Sequence, residues 1–135
     1  MLQHASSYAD LHQRVRNDLA RLQGAWTAVS GRRPAELLVA GNLYTVRFLD
    51  GAIYMGTFEI DPGESPPAMD MRIDEGPIKH KGQITLCIYD LSAETLRWCP
   101  GRPGTDHRPE SFPCEDDPDG LCLLFRRELP RPRQA

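Results

Sequence analysis

The chain opens with a helical period. Tyr8, Leu11, Val15, Leu19 and Leu22 recur at steps of three and four residues and share one helix face, while Arg14, Arg16, Asp18 and Arg21 fill much of the remainder. The pattern predicts an amphipathic helix over residues 8–22, with Ser7 as N-cap, Asp10 in the first turn and Gly24 as a stop after Leu22. Such a helix packs against one end of the adjoining domain, or offers the same five apolar residues to a protein partner. Mixed charge on its polar face argues against a membrane-surface role.

From Ala25 the period falls towards two. Strands are predicted at Ala25–Ser30, Leu43–Leu49, Ala52–Ile60, Ala68–Ile73, Gln83–Leu91 and Thr95–Cys99, with a short one at Glu110–Pro113 and a last at Leu121–Arg127. Asp50-Gly51, Asp61-Pro62-Gly63 and Asp74–Pro77 supply turns between them. Tyr54, Gly56, Phe58 and Ile60 share one parity, and Gly56 among them marks a bend or a close backbone approach. In QITLCIYDLSAETLRWC, a turn at Ser92-Ala93 sets Tyr89 opposite Leu96 and Cys87 opposite Trp98. Cys99 then lies on the other face with Leu86 and Ile88, which disfavours a Cys87–Cys99 disulfide. Both faces of Ile84–Ile88 are apolar, so one lines the core and the other awaits cover, for which the N-terminal helix is the candidate.

Eight strands joined mainly by turns favour a meander, and closing it into a barrel removes its exposed edges; a two-sheet sandwich is the alternative. The expected fold is therefore all-β, an antiparallel barrel of about eight strands with an N-terminal amphipathic helix. The chain divides into a helical extension at 1–23, a β domain at 24–128 and a flexible tail at 129–135.

Composition agrees and removes some functions. The 12 Pro and 11 Gly among 135 residues suit a turn-rich chain. With 16 Lys and Arg against 19 Asp and Glu, the net charge of −3 gives no basic excess for nucleic-acid binding. Wholly apolar runs such as Leu37–Ala40 are far too short for a membrane span. The first residues lack the basic and apolar regions of a secretory signal, so a cytoplasmic location is expected. Cys87, Cys99, Cys114 and Cys122 form no CxxC pair, which makes zinc a weak reading. Cys114 and Cys122 flank the acidic turn EDDPDG and can face one another across a hairpin, but buried free thiols are the preferred reading for most of the four.

No residue pattern assigns a catalyst, metal or cofactor. His4, His12, His80 and His107 have no metal-ligand spacing and read as solvated side chains. Asp116, Asp117 and Asp119 form only a fragment of a calcium loop, broken by Pro118. Asp61, Glu64, Asp70, Asp74 and Glu75 suggest an acidic patch without an acid–base spacing. The barrel interior remains. Tyr44, Phe48, Phe58, Met69, Met71, Tyr89 and Trp98 are candidates to line a ligand site, and Trp26 and Met55 are further large side chains that would fill or line it.

Several segments carry a resemblance. LQGAW at 22–26, YMGTFEIDP at 54–62, DEGPIKHKG at 74–82, CIYDLSAETLRWCPGRPG at 87–104 and RPESF at 108–112 resemble the uncharacterised lipocalin-like domain family found mainly in planctomycetes and related environmental bacteria. The likeness spans Leu22–Glu128, and its most specific part is IYDL with TLRWC followed by RP-x-x-F. It implies a bacterial lipocalin-like barrel whose biochemical role is unassigned. It also implies a structural signature in Gly24-Ala25-Trp26 on the first strand, near the barrel floor, packed under Arg126 or Arg127 of the last. The function expected is a non-enzymatic module that binds a small apolar ligand or a protein partner. The alternatives are an accessory protein docking through its helix and a small barrel enzyme using pocket carboxylates.

Overall fold

A computed structural model describes residues 2–30, 33–112 and 121–128, with side chains from residue 9 onward. Helix α1 (Leu2–Leu22) precedes strands β1 (Gly24–Ser30), β2 (Ala35–Ala40), β3 (Leu43–Phe48), β4 (Ile53–Asp61), β5 (Ala68–Glu75), β6 (Ile84–Leu91), β7 (Thr95–Pro100) and β8 (Leu123–Arg127). The strands run in sequence order around a closed antiparallel barrel, and β8 returns to pair with β1. The lipocalin-like barrel with an N-terminal helix is thus the fold, and the sandwich is excluded.

Alternation decides which side chains enter the barrel. Trp26, Leu37, Val46, Phe58, Met71 and Trp98 are buried on the inner face, joined by neighbours of the same parity on each strand. Met55 has the opposite parity and is 45% exposed, so the expectation that it fills or lines the interior is corrected.

Three elements differ from the sequence reading. Strand β2 is absent from that reading because the run Leu37–Ala40 does not alternate: Leu38 faces outwards and is 55% exposed. No strand forms over residues 110–112, where Pro109 has just removed a ladder donor; Pro113 lies outside the described residues. The helix continues back through Ser7 to Leu2, so Ser7 is not its cap. In the β6–β7 hairpin, Tyr89 meets Trp98, Leu91 meets Leu96 and Ile88 meets Cys99. The register is shifted along the strand from the expected one, but by an even step that keeps every side chain on its face. Cys87 and Cys99 are not joined by a disulfide.

The outer face of β5–β7 is covered, but not by the helix. The Arg108 guanidinium donates to the carbonyls of Cys87 at 2.8 Å and Met69 at 3.3 Å, and pairs with Asp70. Arg97 stands 5.5 Å from the centroid of Phe112. The RP-x-x-F segment thereby straps the sheet where Ala68, Ile88 and Cys99 are buried.

The helix instead closes the floor. Leu22 is fully buried, Leu19 packs on the core, Asp18 accepts a 2.7 Å bond from the Tyr89 hydroxyl, and Arg14 donates to the Pro62 carbonyl. Of the two candidate arginines, Arg127 lies 4.2 Å over the Trp26 ring, while Arg126 is exposed. Arg127 also donates to the Gln23 carbonyl at 2.6 Å and to that of Arg21, and the Trp26 indole donates to the Leu22 carbonyl at 3.0 Å. These donors satisfy carbonyls that the helix end leaves open. Gly24 makes the exit with a φ of 114°, a conformation that L side chains rarely adopt.

Gly56 sits at a bulge opposite β5, where a Cβ would fall 1.8 Å from the Arg72 carbonyl oxygen. No rotamer relieves a clash with backbone. Gly56→Ala is expected to cost roughly 2 kcal/mol or more in urea unfolding, with Met55→Gln within about 0.5 kcal/mol of the parent. Arg127→Met is expected to lose about 2 kcal/mol, since it removes two charge-assisted hydrogen bonds and the ring contact together.

Candidate ligand site at the barrel mouth

Side-chain size divides the barrel interior into two compartments. In the lower one, Leu22, Leu37, Phe58, Met69 and Leu96 meet around a void of only about 10 Å³. The upper one is an open cavity of about 130 Å³. Tyr44, Met71 and Trp98 belong to both and form the layer between them.

The mouth is formed by the ends of β1, β3, β5 and β7 and the starts of the strands next to them in the barrel. Its walls are Val46, Phe48, Tyr54, Ile73 and Trp98, with Pro100, Pro103 and Leu121 around the rim. Phe48 meets Tyr54 edge to face, with ring centroids 5.9 Å apart. The Trp98 indole N–H is buried without a hydrogen bond of normal geometry.

Polar groups follow the Phe48–Tyr54 wall. The Arg33 guanidinium lies 3.7 Å over the Phe48 ring and is held there by a 2.8 Å bond from Nε to Asp50. That bond also keeps the Asp50 carboxyl below its ordinary pKa. Tyr54 Oη and His80 Nδ1 are 2.9 Å apart with their rings stacked. Desolvation lowers the pKa of His80, and the nearby cations Lys79 and Arg33 lower it further. Thr85 completes the lining from β6. Tyr44 is tied down below, donating to the Arg72 carbonyl at 2.8 Å, and burial pushes its hydroxyl pKa up.

Among the sequence candidates, Tyr44, Phe48, Met71 and Trp98 border this cavity, whereas Phe58 and Met69 belong to the packed floor. Tyr89 points inwards but is engaged with Asp18 of the helix. Of the helix-face candidates, Leu19 and Leu22 are used against the barrel core, Leu11 approaches Gly63 and Val15 is half-buried; the Tyr8 side chain lies outside the described residues.

His80, which reads from sequence as a solvated side chain, lines the cavity at its open rim and is half-buried there. Arg33 lines it as well, with no sequence signal to single it out. Both stand in loops, where no period reports direction, and only the parity of Tyr54 with Phe58 gives a hint of the site.

The carboxylates of the expected acidic patch lie elsewhere. Asp61, Glu64 and Asp70 border an outer groove beside Arg108, Asp74 pairs with Arg72, and Glu75 pairs with Lys81. Cys87 is fully buried and desolvation raises its thiol pKa, with Trp98 and Arg108 pulling the other way. No group of three or more potential metal ligands occurs among the described residues. Cys122 is a free, half-buried thiol, which removes the alternative of a pairing with Cys114; Cys114 itself and the Asp116–Asp119 turn lie outside the described residues. No helix described is long and apolar enough to cross a membrane.

Comparison with family models, with curated proteins and with solved structures finds no match to this chain.

Removing the Lys79 cation relieves one of the forces that depress His80. Lys79→Ala is therefore expected to move the His80 titration upward, towards the ordinary imidazole value, in a histidine-detected NMR pH series. An unchanged midpoint counts against the electrostatic coupling.

Proposed function

We propose that this chain is a non-enzymatic lipocalin-like module that takes one small, largely apolar molecule into the mouth of its barrel. The contrast between the two compartments carries the reading: the floor is packed solid, whereas the mouth leaves about 130 Å³ against aromatic and aliphatic walls. An apolar cavity of roughly 150 Å³ is enough to admit benzene. Drug-sized pockets start near 300 Å³. The fitting ligand is therefore a single ring or a short branched chain.

The lining supports binding better than chemistry. Its titratable side chains among the described residues are Arg33, Tyr44, Tyr54 and His80, and the carboxylate beside them, Asp50, is engaged with Arg33 outside the lining. Docking of partners through the helix has less support, because the apolar face that would do it is turned to the chain's own floor.

Trp98 is one of only two tryptophans and borders the cavity, whereas Trp26 lies under Arg127 at the opposite end. Titration with benzyl alcohol is expected to give a saturable change in Trp98 fluorescence, retained in a Trp26→Phe variant. Leu121→Trp should fill the rim and weaken benzyl alcohol binding by about tenfold in calorimetry, in keeping with the loss of ring burial. Equal binding to the parent and the filled variant would place the ligand elsewhere.

A further inference from the structure

We infer that the molecule held in the mouth is a small planar acid, with its ring among Phe48, Tyr54 and Trp98 and its carboxylate turned to Arg33 and His80. The inference rests on the mouth being a ligand site and adds the chemical class of the ligand.

Three observations meet here. The walls are aromatic on several sides, which favours a flat ring over a bulky aliphatic one. Arg33, Tyr54 and His80 follow one another along the Phe48–Tyr54 wall and can present donors. Arg33 carries only N–H groups. If Tyr54 donates to His80 Nδ1, the neutral imidazole keeps its proton on Nε2 and offers a second donor. Thirdly, Arg33 does not wander: stacking on Phe48 and the bond to Asp50 hold its guanidinium at the rim before any ligand arrives. A fixed fork of donors costs little ordering when a carboxylate binds.

Charge points the same way. Arg33 and Asp50 offset one another, as do Lys81 with Glu75 and Arg72 with Asp74. Lys79 adds a further cation beside His80, and both it and Arg33 act electrostatically on that imidazole. An ammonium ligand would meet this field with repulsion, and a neutral alcohol would gain nothing from it. Among the described residues, Asp50 is the group that competes with an incoming anion for Arg33, which yields a test by gain of affinity.

The experiment is calorimetry and Trp98 fluorescence on the full chain with three isosteric probes: benzoate, benzyl alcohol and benzylamine. Benzoate is expected to bind about tenfold or more tightly than benzyl alcohol, and benzylamine most weakly, as a charge-assisted pair implies. Arg33→Met should remove most of the benzoate preference and leave benzyl alcohol within about twofold, with Arg33→Lys restoring part of it. Asp50→Asn should strengthen benzoate alone. Benzyl alcohol or benzylamine binding as well as benzoate overturns the acid while leaving the mouth as a ligand site. So does an Arg33→Met variant that is folded by circular dichroism and weakens all three probes equally. Failure of all three probes to bind removes the mouth site itself and the inference with it.

Discussion

Closure of the sheet between β1 and β8 is the contact on which the rest of the structure depends. A meander that stops short of closing leaves two edges open to solvent and to other chains. Here the closing pair is reinforced from inside, where Trp26 on β1 sits beneath the Arg127 guanidinium of β8. The same guanidinium reaches the last carbonyls of the helix, so one side chain joins the first strand, the last strand and the floor. Gln23 extends the arrangement by exchanging hydrogen bonds with the backbone of Gly41 in the β2–β3 turn. The barrel is shut and its floor set in one place.

Once the barrel is closed, volume decides what its interior can hold. An eight-strand barrel has an interior that side chains either fill or leave partly open. At the floor, Trp26, Phe58, Met69 and Leu96 are supplemented by Leu22 from the helix, and little space remains. Towards the mouth Val46, Ile73 and Thr85 alternate with the aromatic walls and are smaller than the floor residues, and no second helix among the described residues descends to fill the remaining volume. Gly56 contributes from the wall: the close approach of β4 to β5 at its bulge requires the absence of a side chain. The cavity is therefore the consequence of where the large residues stand.

Much of this was legible from alternation. Most inner and outer faces and the special status of Gly56 follow from a two-residue period, closure follows from the need to remove edges, and the β6–β7 faces are those expected although the pairing is shifted. The reading failed where the period is silent. Strand β2 escaped because Leu38, apolar and exposed, makes its sequence look continuous rather than alternating. The segment 101–112 contains no strand, yet it covers β5–β7 through Arg108, a role that only a tertiary contact reveals. His80 and Arg33 lie outside regular elements, and their convergence depends on two loops reaching the same cavity. Composition could not say that a loop histidine stacks on a strand tyrosine.

The two ends also differ in how they bear polar groups, and this separates stability from binding. At the floor, polar atoms are committed to internal partners: Tyr89 to Asp18, the Trp26 indole to Leu22, Arg127 to the helix carbonyls. Burial raises the Tyr89 pKa, and the Asp18 carboxylate that accepts its hydrogen bond raises it further, so the phenol stays a donor at neutral pH. At the mouth, Arg33 and His80 are instead held at the rim of an open space. Changes confined to that rim act on what enters the cavity and leave the closing contact between β1 and β8 untouched, because Tyr44 and Trp98 stand as a packed layer between the two compartments.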